Sequence, residues 1–200
     1  MSTFNVITQP IADVVTLSDM YTQLRLDSGV SDSDVIELAI ATATEYCQAK
    51  SGKAFITQTL EMRFDKWADS KGFELLSAPI QSVDFIKYYD KDGVLHTVDS
   101  SDYIVETSSY PARIILAYGK AWVSDDLRPG NSIIIQYKAG YGDAKTDVPA
   151  HYRQAIILLA AYYYENREAA IMPLSSGTTS GTAIPFGVDV LLRTKRRVYR

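Results

Sequence analysis

Chemistry in this chain would have to come from a short set of residues: one cysteine, Cys47, two histidines, His96 and His151, and scattered carboxylates. Cys47 has the spacing of a buried residue on an apolar helix stripe, where a thiol behaves as a small hydrophobe. His151 opens a helical stretch and could serve as a general base, but no motif sets a hydroxyl nucleophile beside it. His96 lies in a hairpin strand with no better company. Asp90, Asp92 and Gly93 echo a calcium loop, yet Tyr88 stands where the first acid belongs and Asp99 where the final bidentate glutamate belongs. Gly140-Tyr-Gly142 lacks a third glycine and runs into Asp-Ala-Lys-Thr-Asp-Val-Pro, so it reads as a turn leaving a strand and not as a dinucleotide fingerprint. Glu165 and Glu168 sit one turn apart around Arg167, which suits a solvated helix end or a pair across a subunit boundary. These residues assign no catalytic, cofactor-binding or metal-binding site.

The elements around them belong to an ordinary globular chain of 200 residues, 46% hydrophobic and 22% charged. A single cysteine excludes an internal disulfide framework and a multi-cysteine zinc site. The N-terminal stretch lacks a basic region followed by a long apolar run, so no signal peptide is expected. The longest apolar run, Ala155 to Tyr164, is about half of the ~20 residues that a membrane span needs. The expectation is a soluble protein made in a reducing compartment, with no membrane partner. The net charge of −4 hides an asymmetry, because Arg193, Lys195, Arg196, Arg197 and Arg200 all fall in the last eight residues, which hold no acid. Such a tail is either solvated or docks on an acidic partner.

Three zones follow from hydrophobic period. Thr16 and Asp19 resemble a capping box ahead of a first helix starting near Leu17. Ile36, Ile40, Ala43 and Cys47 then mark one stripe of a second helix that ends by Gly52, where a left-handed residue is wanted. From about Ala54 the period becomes two. Leu60, Met62 and Phe64 alternate with Glu61, Arg63 and Asp65, the pattern of a strand with one wet face. Ser82 to Tyr89 and Val94 to Val98 flank Asp90-Lys-Asp-Gly93, a strong hairpin signal. Tyr103 to Glu106, Arg113 to Tyr118 and Ser132 to Lys138 add strands, five to seven in all. The third zone begins at Asp147-Val-Pro149 and reads as one helix from His151 to Ala170, apolar all round in its middle. A polar Ser/Gly/Thr-rich loop and a short closing helix within Phe186 to Tyr199 complete the chain.

The fold class expected is therefore α+β: a helical core, made of an N-terminal helix pair and a long C-terminal helix, interrupted by a mostly antiparallel β-rich insertion. The segments are 1–53 (helical), 54–146 (β-rich), 147–172 (core helix), 173–185 (loop) and 186–200 (basic end). Tyr162, Tyr163 and Tyr164 occupy three faces of one helix, so one intramolecular core cannot take them all. Tyrosine is favoured where an apolar ring meets a polar edge at an interface. The candidate subunit or partner surface is Tyr162, Tyr163, Tyr164 and Arg167, with Leu191, Leu192, Arg193, Lys195, Arg196, Arg197 and Arg200.

Four stretches in order carry a resemblance to a known family. They are Val15-Thr-Leu-Ser-Asp-Met-Tyr-Thr-Gln-Leu-Arg-Leu-Asp27, the helix into Tyr46-Cys-Gln-Ala-Lys-Ser-Gly-Lys-Ala-Phe-Ile-Thr-Gln58, Pro79-Ile-Gln-Ser-Val-Asp-Phe-Ile-Lys-Tyr-Tyr-Asp-Lys-Asp-Gly93, and Tyr137-Lys-Ala-Gly-Tyr-Gly142 continuing through Val148-Pro to Tyr164-Glu-Asn-Arg-Glu-Ala169. Together they resemble the head–tail connector (adaptor) family of long-tailed bacteriophages and related gene-transfer particles, over about residues 10 to 170. The resemblance implies a ring, commonly of twelve subunits, under the portal vertex in the neck of a virion assembled in the host cytoplasm. It implies portal protein and a stopper or tail-completion protein as partners, with viral DNA passing non-specifically through the channel, and no enzymatic activity or cofactor. Two other readings remain open: a tail-side completion or terminator protein bound to the tail tube, and a small hydrolase using His151 and a carboxylate.

Overall fold

The structure is a computed structural model that describes residues 2–27, 32–69, 72–123, 126–167 and 186–193. It contains both helices and antiparallel sheets, an α+β fold. The chain forms two compact units, Met1–Ala12 with Gly52–Asp143, and Asp13–Ser51 with Ala144–Arg200.

The first unit is built on a five-stranded antiparallel sheet of order β1-β2-β8-β4-β5, where β1 is Ser2–Thr8, β2 Gln58–Phe64, β4 Ile80–Tyr89, β5 Leu95–Thr97 and β8 Ile133–Ala139. Strands β3 (Phe73–Leu75), β7 (Ala112–Leu116) and β6 (Tyr103–Glu106) form a second, three-stranded antiparallel sheet. Ile133, Ile135 and Tyr137 alternate along β8 and are completely buried. Their ladder partners are Phe64, Met62 and Leu60 on β2, and Tyr88, Ile86 and Val83 on β4. Phe73, Leu75, Ala112 and Ile114 of the smaller sheet belong to the same apolar cluster, so the two sheets share one core as a small sandwich. Gln58, Glu61 and Ser132 are polar residues buried in this unit.

The Asp90–Gly93 hairpin forms as its sequence demands. Asp90 Oδ1 accepts hydrogen bonds from the backbone N–H groups of Asp92 and Val94, both at 2.9 Å, and Gly93 takes a positive φ of 80°. Gly140, which follows β8, has φ 143°, and a Cβ there would lie 2.5 Å from the Thr57 backbone nitrogen. Only glycine fits that approach.

Three expectations need correction. The first segment is not wholly helical, because residues 2–8 form β1 against β2. Its Phe4 and Val6 alternate with Thr3 and Asn5, a period-two signal short enough to pass as loop. The second face of β2 is not uniformly wet. Glu61 is buried on an interior strand, and Arg63 Nε donates to its Oε1 at 2.7 Å, supplying the partner a buried carboxylate requires. The long helix is also shorter than its apolar pattern suggests, as described next.

The second unit holds α1 (Leu17–Leu24), α2 (Ser33–Ser51), α3 (Ala150–Glu165) and α4 (Phe186–Arg193). Helix α2 packs on α3, α4 packs on both, and α1 reaches α2 and α3. The expected stripe of α2 is buried at Ile36, Ile40, Ala43 and Cys47. Helix α3 buries Tyr152, Ala155, Ile156, Leu159 and Ala160. It stops at Glu165 and not at Ala170, since the Asn166 backbone N–H and its Nδ2 both donate to the Tyr162 carbonyl and close the last turn. The capping box of α1 is present, and Lys145 Nζ joins it by donating to Asp19 Oδ2 at 2.9 Å. Burial alone would push the Asp19 carboxyl up. Hydrogen bonds from Lys145 and from the Thr16 backbone and hydroxyl outweigh it and bring the group from 3.8 down to about 2.

Two predictions follow from this packing. Gly140→Ala should lower the urea midpoint by the equivalent of about 3 kcal/mol, because backbone must move to admit the methyl. A loss below about 1 kcal/mol would show that the approach of the Thr57 backbone is not a constraint. Asp19 is more acidic folded than unfolded, so its contribution is present above about pH 4 and is lost as pH falls toward 2. With the side chain about one-third exposed, that contribution is about 1 kcal/mol. Lys145→Met should flatten the acid limb of a stability–pH curve over this window, and an unchanged limb would count against the assignment.

Candidate assembly interface

The groups that could do chemistry are placed in structural roles. Cys47 is completely buried on α2, and burial pushes its thiol up to about 12, far from a reactive thiolate. His96 Nε2 pairs with Asp90 Oδ2 at 2.8 Å and its ring stacks on Tyr88, tying the hairpin. His151 lies in the first turn of α3 with its ring centroid 4.1 Å from that of Tyr152. Among the described residues no cluster of three or more His, Cys, Asp or Glu could hold a metal ion. None of their helices is long and apolar enough to cross a membrane.

The helical candidates separate into distinct environments. Tyr162, Tyr163 and Tyr164 are all half-buried, in keeping with three rings on three faces of α3. Tyr164 donates its hydroxyl to Asp32 Oδ2 at 3.1 Å. Arg167 donates to the same oxygen and lays its guanidinium 4.5 Å from the centre of the Tyr164 ring. The carboxylate thus ties the end of α3 to the residue just before α2. On α4, Leu192 is buried with Val188, while Leu191 is half-buried. Arg193 ends that helix, and Lys195, Arg196, Arg197 and Arg200 lie outside the described residues.

The surface that sequence reasoning missed is on the sheet. Strand β1 is an edge strand, exposed from Thr3 through Gln9, and it displays Phe4 at 39%, Val6 at 39% and Ile7 at 52%. At the opposite edge Val94 and Leu95 are also exposed. Uncharged residues at 2–12 were the available signal, because a free edge is normally protected by charge, proline or a short strand.

No protein-family model and no curated protein matches this chain. Solved structures do match it, over nearly its whole length. A chain of the neck of the empty gene transfer agent particle, computed with C6 symmetry, superposes with a TM-score of 0.77 at 23% identity, covering 99% of this chain and 97% of that one. A chain of the native particle's neck, computed with C12 symmetry, gives 0.73 at 22%, covering 99% and 97%. A chain of the native virion gives 0.74 at 23%, covering 98% and 96%. The chain thus has the fold of a gene transfer agent neck component, helical unit and sheet unit together.

The Asp32 contacts yield a direct test. Asp32→Ala and Arg167→Ala should each lower the melting temperature slightly, and the double variant should fall short of the sum of the two shifts. Full additivity would mean that the pair does not hold the end of α3 in solution.

Proposed function

We propose that this protein is a structural head–tail connector of a phage-like particle, a ring of about a dozen copies in the neck that extends the DNA channel below the portal and gives the stopper or tail its platform. One observation carries the reading: the fold match to neck chains spans essentially the entire chain and both compact units, one match being to a neck computed with C12 symmetry. A match confined to one unit would speak only for a common module.

The surface chemistry supports the same reading. Half-buried tyrosines and an uncharged sheet edge are features of a chain that completes its burial against neighbours. In this reading the basic segment from Arg193 to Arg200 docks on an acidic face of the portal. The remainder of the chain, acidic overall, suits a conduit wall, since a strongly basic lumen would hold phosphates and impede sliding. The protein acts in the virion neck, as a scaffold and not as a catalyst.

Light scattering over a concentration series, with negative-stain images, should reveal closed rings either in the free protein or on addition of portal, which would raise local concentration. A stable dimer in both conditions would overturn the proposal. Deleting Arg193 to Arg200 should weaken portal capture at least tenfold while leaving the helical content intact. Undiminished capture would remove the tail from the docking surface, and capture by tail tubes in place of portal would make the protein a tail-side completion factor.

A further inference from the structure

We infer that the seam between neighbouring copies is a sheet-edge junction: the β1 edge of one copy pairs with the β5 edge of the next, so that the five-stranded sheet continues from subunit to subunit. This rests on the ring reading above and names the surfaces that close it.

The argument starts from two edges of one sheet. Strand β1 runs for seven residues, Ser2–Thr8, and its only ladder among the described residues is with β2. Its residues carry no charge and no proline, and all of Thr3 to Thr8 are exposed. At the other end β5 pairs only with β4 among the described residues, and Val94-Leu-His-Thr-Val98 likewise holds no lysine, acid or proline. Folded proteins protect such edges, because the unpaired N–H and C=O row is a template for another strand. Strand β1, seven residues long, has none of these protections and is built to be covered; β5 is guarded only by its length of three residues, and Leu95 on it and Val94 just before it stand exposed.

Register parity shows that the two edges suit each other. Phe4 pairs with Met62 and Val6 with Leu60, so Phe4 and Val6 stand on the core side of the sheet. At the far edge His96 pairs with Tyr88, which is itself a partner of the buried Ile133, so Val94, His96 and Val98 stand on that same side. Joining β1 to β5 therefore sets Phe4 and Val6 beside the exposed Val94, extending the apolar face across the seam. On the opposite side Thr3 and Asn5 meet Leu95 and Thr97. A second copy is the fitting occupant because one chain supplies both halves of the contact, and the shared sheet twist carries across the junction. The contact is head-to-tail, the type that closes into a ring under cyclic symmetry; a β1-to-β1 contact would close as a two-fold dimer.

Cysteine pairs across the seam test this in the full-length protein. Thr3→Cys and Asn5→Cys are each combined with Leu95→Cys and Thr97→Cys, since directly opposed strand residues lie within disulfide reach. Native Cys47 is buried and stays silent. At least one double variant should give a ladder of covalent oligomers under mild oxidation, read on a non-reducing gel. Two matching single variants should cross-link only when mixed. Homodimers from Asn5→Cys alone would overturn the inference in favour of a two-fold β1 contact. Rings seen by light scattering without a disulfide from any of the four pairs would also overturn it, while leaving the ring reading standing. Absence of rings with and without portal would overturn both. Independently, Ile7→Lys changes an exposed side chain at the irregular end of the β1 ladder, so the circular dichroism spectrum and melting temperature should hold. The ring fraction should drop at least tenfold, and an unchanged fraction would overturn the inference.

Discussion

Strand β8 is the constraint on which the sheet unit depends. It lies in the middle of the five-stranded sheet, pairs along its length with β2 on one side and β4 on the other, and presents Ile133, Ile135 and Tyr137 to the core. A slip of one residue in either ladder would turn that row outward and bring Ile134, Gln136 and Lys138 in. The Tyr137 hydroxyl donates to the Leu76 carbonyl at 3.0 Å, which satisfies the one polar atom that the ring carries into the interior. The chain leaves β8 through Gly140, whose missing side chain allows the backbone to run against Ile56 and Thr57. One strand thereby sets the register of its neighbours and leaves β1 and β5 as the edges.

The helical unit solves a different problem. Helix α3 is apolar on too many faces for a single contact, and α1, α2 and α4 together cover it. Polar contacts then fix the ends of the helices and leave the apolar contacts between them undisturbed. Asp19 closes the first turn of α1 and takes Lys145, and Asp32 takes both Tyr164 and Arg167 where α3 ends. Each carboxylate joins segments more than a hundred residues apart. Ion pairs this exposed add little individually to stability, so their main effect is to define where α1 and α3 begin and end.

These features suit a scaffold. The buried thiol, the hairpin histidine and the tight glycine turn are all consumed by the fold, while Phe4, Val6, Ile7 and Leu95 stand exposed on two sheet edges.

What the sequence determined by itself was local. The Thr16–Asp19 cap, the Ile36–Cys47 stripe, the Asp90–Gly93 turn and the Ile133–Tyr137 alternation are all set by interactions or periodicities within a few residues, and each is present in the folded chain. The α+β class was legible for the same reason. Residues 2–8 did not read as a strand because their order comes from the β2 ladder, more than fifty residues away. Glu61 looked wet because its burial follows from an interior place in a sheet whose strand order is not sequential. The tyrosines and arginine at the end of α3 were recognisable as amphipathic, but that Tyr164 and Arg167 share Asp32 depended on how two distant helices meet. Likewise the free edges exist only once strand order is fixed. Composition and period act over one or two turns of chain, whereas edges, buried carboxylates and shared partners are products of closure, and tertiary packing alone decides them.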